Sequence, residues 1–203
     1  MKMNKKEYTK EKTAFKKMGG ILRTSQALKH GIHPRTLYEM RDAGIIEKLS
    51  RGLYRLSELP PLENPDLISV ALRVPQSVLC LISALAFHEI TTQIPHEIYI
   101  AVERGTKTPR VDYPPVRIFH FTTEMFIQGI ETYARDNITV RVYSPEKTIA
   151  DCFKYRNKIG LETAIESLKL YRERKKVKVQ KLIHFAKICR VENIIKPYLE
   201  SIL

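Results

Sequence analysis

Cysteine is scarce in this chain of 203 residues, and its three copies, Cys80, Cys152 and Cys189, lie far apart. The number is odd, and no Cys-x-x-Cys pair occurs. This spacing speaks against a disulfide framework and against a zinc site, and it is typical of a protein of the reducing cytoplasm.

Long apolar runs are missing as well. The most apolar segment, Val78 to Ile90, is interrupted by Ser83 and His88, and it falls far short of the roughly 20 apolar residues of a membrane-spanning helix. The N-terminal stretch is basic but has no apolar run long enough for export. We therefore expect a soluble, cytoplasmic protein without a membrane partner.

The familiar metal and nucleophile motifs are absent too. His88-Glu89 does not extend to His-Glu-x-x-His, because Thr92 stands where the second histidine would be. There is no Gly-x-Ser-x-Gly elbow and no glycine-rich phosphate loop that ends in Lys-Ser or Lys-Thr. The sequence thus predicts neither a metal nor a cofactor.

One carboxylate pair also fails as a catalytic candidate. Glu146 and Asp151 are five apart on one predicted helix, too far round the helix for an obvious acid and base pair. A hydrogen bond or ion pair between helices is the favoured interpretation for Asp151. We expect no enzyme activity.

Positive charge, in contrast, is abundant and unevenly placed. The chain has 35 Lys and Arg against 22 Asp and Glu, a net charge of +13. Residues 1–57 hold 14 of the basic and 5 of the acidic side chains. A basic module joined to a nearly balanced one is typical of a phosphate-binding head on a globular body.

The basic segment carries the signals of two short helices. Thr24 is placed to cap the first helix, and Gly31 supplies the left-handed residue that ends it. Pro34 suits the first position of the second helix. In that helix Leu37 and Met40 are three apart and face one side, so the opposite arc is predicted to face outward.

A short hairpin follows the second helix. Apolar residues flank Ser50-Arg51-Gly52 on both sides, which places Arg51 at the tip of a wing. The order of helices and hairpin predicts a winged helix-turn-helix over residues 1–57. Residues 58–65 contain three prolines and are interpreted as a linker, because prolines favour extended chain.

Residues 66–203 are expected to form a mixed α/β C-terminal domain. Helices are predicted over Asp66–Val74 and Ser77–Ile90, and strands over Ile98–Val102, Val116–Phe121 and Ile138–Tyr143. A further helix begins at Ser144-Pro145, and the chain ends in a bundle-like helical segment. The predicted fold class is α+β.

Four segments together resemble one family. They are GGILRTSQALKHGIHPRTLYEMRDAGIIEKLSRGLYRL, SALAFHEI, IPHEIYIAV and VYSPEKTIADCFKYRNKIG. In this order they resemble the AbiEi-type antitoxins of bacterial type IV toxin-antitoxin and abortive-infection systems. The resemblance implies a repressor that binds inverted repeats of double-stranded DNA in its own promoter. It also implies a C-terminal domain that counteracts a nucleotidyltransferase-like toxin without a stable complex.

The resemblance places the DNA-reading helix at Pro34 to Ala43 and the wing at Lys48 to Arg55. The first helix is expected to contact phosphates through Thr24, Ser25 and Gln26. Contacts from the second helix and the wing are expected from eight side chains: Arg35, Thr36, Tyr38 and Glu39 at base edges, His33 and Arg41 beside them, and Lys48 and Arg51 on the wing. Lys16 and Lys17 of a leading helix are candidates for further phosphate contacts.

Two other function classes stay open at this stage. One is a ligand-responsive regulator with a winged helix and no antitoxin activity. The other is an enzyme that a winged helix targets to nucleic acid, which would require Asp151, His88 and His120 to meet in one pocket.

Overall fold

The structure, a computed structural model, describes residues 8–136, 138–174 and 177–202. These residues form two compact units. The first comprises the described chain up to Ser69, together with Asp136 and Ile138, and the second comprises Val70–Arg135 and the chain from Thr139 onward. We describe each unit by itself.

The N-terminal unit alternates short helices with the strands of a small sheet. Its elements are α1 (Thr9–Lys17), β1 (Ile21–Arg23), α2 (Thr24–Lys29), α3 (Pro34–Asp42), β2 (Ile46–Ser50) and β3 (Leu53–Leu56). The strand order is β1-β3-β2, and both pairings are antiparallel. This is the predicted winged helix-turn-helix, with α2 and α3 as the helix pair and β2-β3 as the wing.

Apolar side chains from every helix of this unit meet in one core. Phe15 of α1, Ala27 of α2, and Leu37 and Met40 of α3 are all buried there. The predicted inward face of α3 is therefore confirmed. Ile32, in the turn between α2 and α3, is buried in the same core.

The turn between the helices forms as predicted. Gly31 has a φ of +76°, in the left-handed region where glycine is favoured. Pro34 is the first residue of α3, and His33 caps that helix by accepting a hydrogen bond at Nδ1 from the Arg35 amide at 3.2 Å. A residue without an amide hydrogen suits this position because that amide would have no helical partner.

The start of α2 differs from the expectation. Thr24 is the first residue of the helix rather than its cap, and its hydroxyl donates to the Gly52 carbonyl at 3.4 Å. The Arg23 amide instead donates to Oε1 of Gln26 at 2.9 Å. The partner of Thr24 lies in the wing turn, 28 residues away, and no local pattern in the sequence indicates this contact.

A helix, α4 (Pro65–Arg73), spans the boundary between the two units. The C-terminal unit then adds strands and helices in the following order: β4 (Val78–Leu79), α5 (Leu81–Phe87), β5 (Ile98–Glu103), β6 (Val116–Phe121), α6 (Thr123–Ile127), β7 (Ile130–Arg135), β8 (Ile138–Tyr143), α7 (Pro145–Lys154), α8 (Arg156–Ile159), α9 (Leu161–Arg174), α10 (Val179–Ile188) and α11 (Glu192–Ile202).

The sheet of this unit is mixed. Its strand order is β6-β5-β4-β8-β7. Strand β4 pairs antiparallel to β5 and parallel to β8, while β5 and β6 are parallel. Helix α7 packs against α5, α9 and α10. The predicted helical ending of the α+β fold is present as α9, α10 and α11.

Part of the predicted secondary structure needs correction. The expected helix over Ser77–Ile90 is interrupted: Val78 and Leu79 form β4, and the helix begins only at Leu81. A short apolar run does not distinguish a central strand from a buried helix. Strand β7 and helix α6 were not anticipated.

A buried ion pair lies at the centre of the C-terminal unit. Nζ of Lys147 is 2.6 Å from both carboxylate oxygens of Asp151, one turn along α7, and both side chains are completely buried. The ammonium also lies 4.4 Å from the ring centre of Tyr143, within the range of a cation–π contact. The thiol of Cys189, next to the end of α10, donates to Asp151 at 3.2 Å. Asp151 thus joins helices α7 and α10, the interpretation favoured by the sequence.

Lys147→Met is expected to destabilise this unit by about 3–5 kcal/mol, because it leaves a buried carboxylate without its cation. Urea denaturation followed by circular dichroism measures the loss. The double variant Lys147→Met with Asp151→Leu should regain most of the stability, since it leaves neither charge of the pair buried without its partner. An equally large loss in both variants would contradict this account.

Candidate nucleic-acid interface

The outward arc of α3 is exposed to solvent. The Arg35 side chain is 83% exposed and Tyr38 is 51% exposed. Arg41 is exposed and Thr36 is half-buried. The helical period therefore places Arg35, Tyr38 and Glu39 opposite Leu37 and Met40, with Thr36 and Arg41 at the two edges of this outer arc.

Two ion pairs lie on this surface. Nε of Arg35 is 3.3 Å from Oε1 of Glu39, one turn along the helix. Nη2 of Arg41 is 2.7 Å from Asp42, and its guanidinium lies 5.4 Å from the ring centre of Tyr38. The hydrogen bond from Arg41 to Asp42 raises the pKa of the guanidinium, which stays charged in any case. The Arg35 pair occupies Nε and leaves the two Nη groups for other acceptors.

Glu39 is also held from the leading segment. The Tyr8 hydroxyl, buried just before α1, donates to Oε2 of Glu39 at 3.5 Å. Each carboxylate oxygen of Glu39 therefore has a partner within the unit. This arrangement fixes the position of the one acidic side chain predicted to face base edges.

At the start of α2, fewer polar side chains are left to contact phosphate than the sequence predicts. Thr24 and Gln26 both have partners inside the unit, the Gly52 carbonyl and the Arg23 amide. Ser25 is exposed. Among the three residues expected to contact phosphate, Ser25 is the one most open to solvent.

The wing turns tightly at Arg51 and Gly52. Gly52 has a φ of +72°, and the pairing of β2 with β3 shifts register between Lys48 and Ser50. Lys48 and Arg51 are both exposed. The hairpin thus places the two predicted wing cations at the surface.

Arg55, also within the predicted wing, is buried, in contrast to Lys48 and Arg51. Its side chain is only 4% exposed, and Nη1 donates to Glu47 at 2.7 Å. Nη2 donates to the Pro60 carbonyl, and Nε has no hydrogen-bond partner among the described residues. Arg55 therefore binds the chain after the wing, a role for which the sequence carried no signal.

The leading helix α1 has three exposed lysines, Lys10, Lys16 and Lys17. Nζ of Lys16 lies 2.9 Å from Glu58, and this contact lowers the pKa of that carboxyl group. The surface pair is worth little energy. Lys16 is thus easily turned toward another anion, and Lys17 is exposed beside it.

Asp151, His88 and His120, which the enzyme alternative would bring together in one pocket, each have a different partner. Asp151 is bound by Lys147 and Cys189, and Nε2 of His88 lies 2.7 Å from the Tyr143 carbonyl oxygen. Nε2 of His120 lies 3.3 Å from the Thr108 hydroxyl. In the described parts of the chain, no three His, Cys, Asp or Glu side chains are grouped to hold a metal ion.

The comparisons with known proteins point to the same region of the chain. Residues 12–57 match the family described as "Transcriptional regulator, AbiEi antitoxin". The N-terminal domain is of the AbiEi antitoxin type. The predicted family is thereby confirmed over this AbiEi-type domain, which comprises the helix pair and the wing, whereas the VYSPEKTIADC segment lies outside the match.

Two further comparisons do not identify a family. No curated protein matches the chain in sequence. Among solved structures, the chain is similar to the RV2827C protein from Mycobacterium tuberculosis, with a TM-score of 0.48 and 12% identity, over 94% of this chain and 81% of that chain. Within the described residues, no helix has the length and apolar character needed to cross a membrane.

Gly52→Ala is expected to destabilise the wing by about 1–2 kcal/mol, because a β-carbon disfavours the left-handed conformation. Hydrogen exchange of the amides in residues 44–57 reports the change. Gly52→Asn is the matched control and should cost less, since asparagine tolerates this conformation. Equal effects of the two variants would mean that backbone strain is not the cause.

Proposed function

We propose that this protein is the antitoxin and transcriptional autorepressor of a type IV toxin-antitoxin operon, and that it acts in the cytoplasm. The AbiEi-type domain binds inverted repeats in the operon's own promoter. The observation that carries this proposal is the exposed arc of α3, in a winged helix-turn-helix whose sequence matches AbiEi antitoxin regulators.

Helix α3 enters the major groove with its outward arc toward the bases. Arg35 donates from its two Nη groups to O6 and N7 of a guanine, the commonest specific contact of arginine with DNA. Glu39 accepts from the N4 amino group of a cytosine. Because Arg35 and Glu39 lie one turn apart on the same outer face, 3.3 Å from each other, they reach the groove as a neighbouring donor and acceptor. Thr36 and Tyr38 contact base edges beside this pair, and His33 and Arg41 flank it.

The backbone contacts come from the surrounding elements. Lys48 and Arg51 of the wing neutralise phosphates or enter the adjacent minor groove. Lys16 and Lys17 of α1, together with Thr24, Ser25 and Gln26 at the start of α2, hold the phosphates on either side. Such contacts position the protein without reading sequence.

The antitoxin activity belongs to the C-terminal unit. It counteracts the nucleotidyltransferase-like toxin encoded alongside, without a stable complex. Support for this half of the proposal is the resemblance of the VYSPEKTIADC segment to the family. In the structure, the side chains of this segment, apart from Pro145, are buried. The segment therefore builds the core of the unit, and any toxin-directed chemistry lies on other side chains.

Arg35→Ala and Lys48→Ala are expected to weaken promoter binding in different ways. Loss of Arg35 should cost about 1–3 kcal/mol on the operator and reduce the preference over a scrambled duplex. Loss of Lys48 should weaken both duplexes alike and lower the salt slope by about 1. Fluorescence anisotropy over a range of salt concentrations measures both quantities.

Lys169→Ala, at an exposed position on α9, is the charge-matched control and should bind as the unaltered protein does. Operator binding that survives both Arg35→Ala and Lys48→Ala would disprove the assignment of α3 and the wing to DNA.

The two activities should separate in a single variant. Arg35→Ala is expected to derepress a promoter–reporter fusion while still rescuing growth of cells that express the neighbouring toxin gene. Reporter activity and colony counts measure the two effects in the same strain. A protein that represses but never rescues growth would instead be the ligand-responsive regulator without antitoxin activity.

A further inference from the structure

The C-terminal unit contains a cavity of about 190 Å³ that neither DNA binding nor the buried ion pair explains. Basic and hydroxyl side chains predominate among the polar groups of its wall. They are Arg104, His120, Thr122, Lys154, Tyr155 and Arg190.

These groups come together from separate parts of the fold. Arg104 directly follows β5, and His120 is near the end of β6, the parallel neighbour of β5. Thr122 caps α6 immediately after β6. The cavity therefore lies beside the carboxyl ends of two parallel strands, the edge at which α/β sheets bind ligands.

Two helices complete the wall. Lys154 is the last residue of α7, and Arg190 follows the end of α10 with a φ of +57°. Cations at these positions complement the negative ends of the helices. Arg104 lies at the end of a strand, so the helix dipoles do not account for its presence.

The charge of the wall is unbalanced. Three cations face it, against the single carboxylate of Glu124. In the described chain, none of Arg104, Lys154 and Arg190 forms an ion pair with an acidic side chain. Among the side chains of the wall, Glu124 alone offsets their positive charge.

The hydroxyl groups add neutral donors. Burial raises the pKa of Tyr155 to about 12, so its phenol remains a hydrogen-bond donor at neutral pH. The Thr122 hydroxyl oxygen accepts from the Met125 amide at 3.5 Å, and its proton is left to donate. An oxyanion with several acceptor oxygens complements such a set of donors.

We propose that this cavity binds the phosphate group of a small phosphorylated metabolite. Its volume is below the roughly 300–1,000 Å³ of clefts that enclose drug-sized ligands. It accordingly takes the phosphate and leaves the remainder of the ligand toward solvent. Arg104 and Arg190 donate hydrogen bonds to the phosphate oxygens, and Lys154 supplies a further positive charge. This inference is independent of promoter binding.

Isothermal titration calorimetry of the full chain tests the proposal with three probes at constant ionic strength: inorganic phosphate, pyrophosphate and ribose 5-phosphate. Saturable binding of one molecule per chain is expected, and unphosphorylated ribose should not bind. Tighter binding of ribose 5-phosphate than of inorganic phosphate would identify an organic phosphate as the ligand. The reverse order would identify a free phosphate ion.

Arg104→Ala is expected to raise the dissociation constant by about 10-fold or more, because a charge-assisted hydrogen bond is lost. Lys154→Ala should weaken binding in the same direction. Arg110→Ala and Lys181→Ala remove exposed cations outside the cavity and should leave the affinity unchanged. Thermal unfolding of each variant without ligand shows whether the unit has kept its fold.

Two results would overturn the proposal. The first is no saturable heat with any of the three probes, or an affinity that falls equally in the cavity variants and in the two controls. The second is binding confined to long polyanions, such as an RNA oligomer, with a steep dependence on salt. That result would mark a nucleic-acid surface in place of a small-molecule site.

Discussion

The burial of Leu37 and Met40 is the constraint on which the candidate interface depends. A helix has 3.6 residues per turn, so fixing these two side chains in the core leaves little freedom for the rest. Arg35 and Tyr38 are then turned outward, and Arg41 is exposed at the edge of the buried face. The packing of α3 and the composition of its exposed arc are thus two consequences of one periodicity, and a change that rotated the helix would alter both.

A second constraint is the ion pair at the centre of the C-terminal unit. A buried pair contributes little net stability, because desolvation offsets most of the attraction, but the loss of one partner is costly. Here the hydrogen bond from Cys189 and the ring of Tyr143 complete the surroundings of the pair. The arrangement fixes α7 relative to α10. It explains in part why a segment so rich in polar residues as SPEKTIADC is buried: Lys147 and Asp151 satisfy one another across one turn of helix, and Glu146 accepts a hydrogen bond from the Tyr171 hydroxyl at 2.7 Å.

Much of the architecture could be predicted from local chemistry. Gly31 and Pro34 act through the backbone conformation of their own neighbourhood, and Ser144 caps α7 by accepting a hydrogen bond from the Lys147 amide at 3.3 Å, so the sequence suffices to locate them. Thr24 and Arg55 could not be placed in this way. Their partners, the Gly52 carbonyl and Glu47 with Pro60, are chosen by the folding of the wing. Strand β4 was missed for a related reason: its two apolar residues become a strand only because β5 and β8 flank them.

The cavity of the C-terminal unit illustrates the same limit more strongly. Its cations are scattered from Arg104 to Arg190 in a domain that is nearly neutral as a whole, so neither composition nor any motif indicates them. Net charge averages over a surface, whereas an anion responds to the few groups within hydrogen-bonding distance. The basic N-terminal segment and this cavity therefore use positive charge in different ways. The first spreads it along exposed helices and a wing, which suits a long polyanion. The second groups it on the wall of a small open cavity, where a single phosphate meets several donors at once.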